Sequence, residues 1–176
     1  FLLMDTNLIV GKNASGKTRT LHIIRALANM LSGGPVSTLS GGRYDAEFIQ
    51  DDGTRFAYKL TYGPSGVTME EFSINEDVKL SRKKGGEGEI WAEDINDGTK
   101  IRFQTPISEL AAVARRDTIQ HSYLENLFNW GNSLRHFYFG SDLGKGHFAL
   151  LSNQKFKKID KGDAKEVVSL LIQAEK

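Results

Sequence analysis

Eight consecutive residues carry the clearest chemistry in this chain. Gly11-Lys12-Asn13-Ala14-Ser15-Gly16-Lys17-Thr18 fits the spacing G-x-x-x-x-G-K-[ST] in full. A phosphate chain carries several negative charges, and this pattern meets them in three ways. Successive backbone N–H groups curl around the anion, and the N-terminus of a following helix adds a positive dipole end. Gly11 and Gly16 permit the tight backbone path. Lys17 is read as the residue that reaches the β and γ phosphates, and Thr18 as the hydroxyl on Mg²⁺. Arg19, on the first turn after the loop, is a further candidate for phosphate contact.

Such a loop needs a strand before it and a helix after it, and the sequence offers both. Thr6 to Val10 is short and apolar. Leu21, Ile24, Leu27, Ala28 and Leu31 recur at helical spacing, predicting a helix from about Gly16 to Leu31 that stops at Gly33-Gly34-Pro35. The next seventy or so residues read as an antiparallel meander. Tyr44, Ala46 and Phe48 alternate with Asp45 and Glu47, and Asp52-Gly53 signals a hairpin. Phe56, Tyr58 and Leu60 share one face of a second strand. Val67 to Ile74 forms a third, Glu89 to Ala92 and Thr99 to Phe103 two more. Ser81 to Gly88 (SRKKGGEG) reads as a basic, Gly-rich loop. Helical spacing returns after Pro106, with Ile107, Leu110, Ala111 and Ala114 on one face. An aromatic-rich segment from Tyr123 to Tyr138 comes next, with a bend expected near Gly131. Asp163 to Glu166 has the form of a capping box ahead of Val167, Val168, Leu171 and Ile172.

Taken together, G-x-N-x-S-G-K-T, Gly66 to Glu71 (GVTMEE), Leu80-Ser81-Arg82 and Ile90-Trp91 resemble the RecF/SMC-like or OLD-like branch of ABC-type ATPases. The likeness runs over roughly Leu8 to Gly140. It implies an α/β fold: a P-loop NTPase core with an accessory antiparallel β-sheet and a helical part, as in the first lobe of an ABC-type ATPase. The expected division is residues 1–105, loop, helix and meander, and residues 106–176, mainly helical and continuous with an unseen second lobe. The implied activity is Mg-ATP binding and hydrolysis, with ATP and Mg²⁺ as cofactors and a homodimer closing on the ATP face. DNA repair or phage defence, an effector such as a nuclease, and DNA itself are the implied setting and partners. The resemblance also implies that Asn13 and Ala14 lie beside the phosphates and that a Gln at the exit of that lobe contacts Mg²⁺ and the attacking water. Position points to Gln104, which also reads as an ordinary polar residue at a strand end; Gln120, inside a predicted helix, is the weaker candidate. Lys17 and Gln104 are thus the expected catalytic residues, and Thr18 and Gln104 the expected metal contacts.

Beyond the loop, the chain departs from that family. No apolar strand ends in Asp-Glu, and no switch His lies on a late core strand. Leu39-Ser40-Gly41-Gly42 spells the signature tetrapeptide but lies 22 residues past Lys17, so it reads as a loop. Two other readings therefore stay open: a nucleotide-sensing scaffold that does not hydrolyse, and a P-loop phosphotransferase.

The remaining candidates are plainer. Arg82-Lys83-Lys84 is a basic run that reads as a solvated turn or a DNA contact. Lys155, Lys157, Lys158 and Lys161 form a second. Arg115-Arg116 reads as surface charge. His22, His121, His136 and His147 lack metal-ligand spacing. The composition of the 176 residues is that of a globular chain: 39% hydrophobic, 26% charged, net charge +1. Zero Cys excludes disulfides, thiol catalysis and Cys-built metal sites, and fits a cytoplasmic setting. No run reaches the length of a membrane helix. The chain opens inside an apolar segment without Met, which reads as part of a longer product.

Overall fold

Alternation of apolar and polar residues, broken by short connections that mostly contain Gly, yields six strands that each pair with the next in sequence. The computed structural model describes residues 2–4, 7–36, 41–94 and 98–136. The chain divides into two compact units, residues 22–133 and residues 1–21 with 134–176. The strands are β1 (Gly42–Ile49), β2 (Arg55–Gly63), β3 (Gly66–Ile74), β4 (Asp77–Arg82), β5 (Glu87–Ala92) and β6 (Thr99–Gln104). Their order in the sheet is their order in the chain, and every pairing is antiparallel. Helix α1 (Lys17–Leu31) precedes the sheet. A one-turn helix α2 (Ala111–Ala114), a 3-10 turn over 122–124 and helix α3 (Glu125–Ser133) come after it.

Period-two alternation sends one set of side chains inward. Phe56, Tyr58, Leu60, Phe72, Leu80 and Ile90 are buried and share one cluster with Leu27, Met30 and Leu31 of α1, Ala111 and Ala112 of α2, and Leu127 of α3. Each large apolar group so buried contributes about 1.5–3 kcal/mol. Phe56, Phe72 and Tyr123 stack in sequence at centroid distances of 5.9 and 6.0 Å. The opposite face is wet. Register aligns Asp45, Lys59, Glu71, Ser81, Glu89 and Arg102 across all six strands, so Lys59 lies between two acids, Glu89 lies beside Arg102, and the neutral Ser81 separates Glu71 from Glu89. Lys59 and Glu71 meet at 3.0 Å.

Several expectations are corrected by this architecture. The parallel nucleotide-binding core is absent from the described residues: every strand pair is antiparallel and consecutive strands are joined in chain order. A parallel pair needs a crossover of a dozen or more residues, whereas only a few residues separate successive strands here. Residues 7–10, expected as the first core strand, belong to no strand of the sheet. Leu8 and Val10 there are 87% and 77% exposed. The stretch Ser81–Gly88 is not one loop: β4 runs through Arg82 and β5 begins at Glu87, leaving a turn over 83–86. The helix after Pro106 is one turn long, and Ile107 is exposed, because the backbone of 105–109 is held against the sheet. Gly131 does not bend its segment; it lies inside α3. The Lys155–Lys161 cluster, the capping box at 163–166, His147 and Leu39-Ser40 fall outside the described residues.

One turn carries a pH signature. Asp117 Oδ1 accepts N–H bonds from Ile119 (2.7 Å) and Gln120 (2.8 Å). These bonds hold its carboxyl below the ordinary aspartate range. The stability it lends is therefore present above the ordinary value and lost as pH falls through the lowered one. Carboxyl-carbon NMR is expected to find Asp117 titrating below an unstructured aspartate. Asp117→Asn should remove that transition and leave the others in place.

Candidate functional site

The loop ahead of α1 is built from turns. Ser15 N donates to Lys12 O at 3.2 Å, and Ala14 and Gly16 take positive φ values of 63° and 91°. Gly16 suits that conformation because it has no Cβ to clash with the following carbonyl. Helix α1 starts at Lys17, so its first N–H groups have no intrahelical acceptor and face the loop end. The Lys17 ammonium folds back over the loop, donating to Gly11 O at 2.6 Å and Lys12 O at 2.7 Å, with Ser15 Oγ at 3.4 Å. Lys12, Asn13, Ala14, Ser15, Thr18 and Arg19 are exposed. The Lys17 ammonium and the first N–H groups of α1 thus gather at a short, exposed stretch of backbone that also carries Lys12, which is chemistry suited to an oxyanion.

Gln104 ends β6 and is exposed. Its Nε2 donates to Gly85 O at 2.8 Å, and its carbonyl accepts from the Arg115 guanidinium. It belongs to the sheet unit, whereas the loop belongs to the unit of residues 1–21 and 134–176. Gln120 lies in the turn after Asp117 rather than in a helix. Among the described residues no three His, Asp or Glu side chains gather where they could hold a metal ion.

The basic run loses its first member. Arg82 is 1% exposed and points inward, leaving Lys83 and Lys84 alone at the β4–β5 turn. Beside that turn, Ser81, Lys83, Glu87, Glu89, Arg102 and Gln104 line an open cleft of about 650 Å³. Its two cations face two carboxylates, so it has no net preference for an anion.

The arrangement that sequence reading missed is the partner of Arg82. Glu70 and Arg82 are directly opposite in the β3–β4 register, on the inward face. Glu70 Oε1 accepts from Tyr58 OH (2.9 Å) and Ala112 N (2.8 Å). Its Oε2 accepts from Ala111 N (2.7 Å) and Arg82 Nη1 (3.4 Å). Arg82 also donates to the carbonyls of Glu109 (2.6 Å), Thr105 (3.0 Å) and Pro106 (2.7 Å); its Nε has no partner. Burial pushes the Glu70 carboxyl above the ordinary glutamate range, against the bonds from Ala112, Ala111 and Tyr58 and the charge of Arg82. The same surroundings push the Tyr58 hydroxyl well up. Every oxygen of this cluster is engaged and shielded from water, so it is a clasp that pins 105–112 to the sheet rather than a reactive centre. His121 is also buried, its ring edge-on to Tyr123 with a centroid distance of 6.3 Å.

Fold and site together define an α/β unit with an open antiparallel meander, preceded by a glycine loop at the head of a helix. Compared with protein-family models, curated proteins and solved structures, the chain matches none of them. The ABC-type ATPase reading is therefore corrected, and with it the ATP and Mg²⁺ cofactors, the hydrolytic activity, the sensing scaffold and the phosphotransferase. The sheet has the wrong topology for that core, and no metal-holding cluster is assembled among the described residues. No helix among them is long and apolar enough to cross a membrane.

Proposed function

We propose that the chain binds an oxyanion of the phosphate class at the loop Gly11–Thr18, with Lys17 as the charged contact and Arg19 as a flanking cation. The observation that carries this reading is the position of the Lys17 ammonium, 2.6–2.7 Å from two loop carbonyls and beside the open end of α1. An anion seated there meets backbone N–H groups and the helix dipole at once. Gly11, Asn13, Ser15 and Gly16 shape the backbone, and Thr18 offers a hydroxyl at the helix start. Neither a nucleotide, nor a metal, nor turnover belongs to the proposal. A cytoplasmic setting does, on the strength of the Cys-free composition.

Titration with inorganic phosphate, monitored by amide NMR, tests it. Shifts are expected at Gly16, Lys17 and Thr18. Lys17→Ala should weaken the apparent affinity by roughly tenfold, the worth of one charge-assisted hydrogen bond. Shifts confined to other residues, or a Lys17→Ala variant that binds phosphate equally well, would overturn it.

A further inference from the structure

The two edges of the sheet differ. Strand β6 has six residues, carries Lys100 and Arg102, and has its last carbonyl taken by the Arg115 guanidinium. Positive charge on an edge strand discourages another strand from joining it. Strand β1 has eight residues without Pro, its one cation Arg43 is offset by Asp45 and Glu47, and it runs in unbroken register along β2. Among the described residues only β2 pairs with its backbone. Gln50 N donates to Thr54 O at 3.0 Å, which fixes the phase of the ladder. Even-numbered residues of β1 then face β2, and the N–H and C=O groups of Arg43, Asp45, Glu47 and Ile49 point away from the sheet. The side chains of these four are exposed as well.

A second copy of the same strand can join this edge in several registers, and the charges along it distinguish them. Antiparallel pairing requires residues with outward N–H groups to face each other. Centred on Asp45, the pairing sets Arg43 against Glu47 twice but Asp45 against Asp45 at the middle. Centred on Ala46, it sets Asp45 against Glu47 twice. Centred on Tyr44, it sets Arg43 against Asp45 twice, with no like charges opposite. Opposite charges across a strand pair stabilise it and like charges do the reverse. We propose that β1 pairs antiparallel with β1 of a second copy, in the register centred on Tyr44, joining two six-stranded sheets into one.

Sedimentation of the full chain over a concentration series is the test, with hydrogen exchange on the same samples. A concentration-dependent dimer is expected. Arg43→Asp and Asp45→Arg should each weaken it by roughly tenfold, and the double exchange should restore it. Asp45→Pro removes an outward N–H and leaves the β2 ladder intact, so it should abolish the dimer while the thermal transition stays cooperative. Should Asp45→Pro fail to fold, the charge-exchange cycle decides alone. A monomer at every concentration overturns the proposal, as does a dimer that ignores these substitutions. Protected amides at 43, 45 and 47 in a monomer also overturn it, since the chain would then cover its own edge.

Discussion

Glu70→Gln is expected to cost about 3–5 kcal/mol, the usual penalty for removing one partner of a buried ion pair. Arg82, with no exposed side-chain surface, would keep its charge and lose its counter-ion. The amide of the new side chain would also turn N–H groups toward the N–H donors of Ala111, Ala112 or Tyr58, leaving donors unmatched. Whole domains are stable by only about 5–15 kcal/mol, so this is a large share. With a urea slope of about 2 kcal/mol per molar, the midpoint should fall by roughly 2 M. Glu71→Gln is the natural control. Its side chain is 33% exposed and pairs with a Lys59 that is 43% exposed, so the loss should stay below about 1 kcal/mol. If the neighbouring glutamates cost the same, the clasp is not what holds 105–112 down.

Gly131→Val is expected to cost about 3 kcal/mol, the upper end of the range for overpacking a filled interior. A Cβ at this position would stand 2.6 Å from Ala28 O and 3.1 Å from Leu31 Cβ. Both belong to α1, so α3 crosses α1 with backbones nearly touching, and neither atom is the free end of a side chain. Ala at the same place gains up to about 1 kcal/mol of helix propensity yet meets the same carbonyl, so it too should destabilise. Asn129→Ala, two residues away and exposed, should be close to neutral by the same thermal or urea measurement. Equal effects at 129 and 131 would mean that the crossing is looser than its geometry.

How much of the structure was legible in the sequence depends on how far each signal reaches. Helix α1 and strands β1, β2, β3, β5 and β6 are local statements, written in apolar alternation and in turns such as Asp52-Gly53 and Gly63 to Gly66, and they are where the spacing puts them. Strand β4 was lost because charge and glycine come after Leu80 and disguise an inward position as part of a loop. The signal was nonetheless present. Counting outward from Phe72 and Leu80 in steps of two reaches Glu70 and Arg82, opposite charges in the inward frame of adjacent strands. The glycine loop was legible as a string, but the sheet expected around it was not, since a strand's neighbours are set by distant residues. The short α2 shows the same limit. Its helical spacing is real, but the carbonyls of Thr105, Pro106 and Glu109 are bound to Arg82, 23 to 27 residues earlier.

The order in which the strands pair bears on how the molecule assembles. Each strand finds its partner a few residues away, so every hairpin closes with little loop-closure entropy and can form without waiting for the rest of the chain. The bonds from Ala111 and Ala112 to Glu70 span 41 and 42 residues and must come afterwards. Until they form, the inner face of the sheet carries two ionised groups in water, where they are at ease. Those same charges interrupt what would otherwise be a continuous oily surface on an unfinished chain, and so keep it from sticking to its neighbours before the helices close over it.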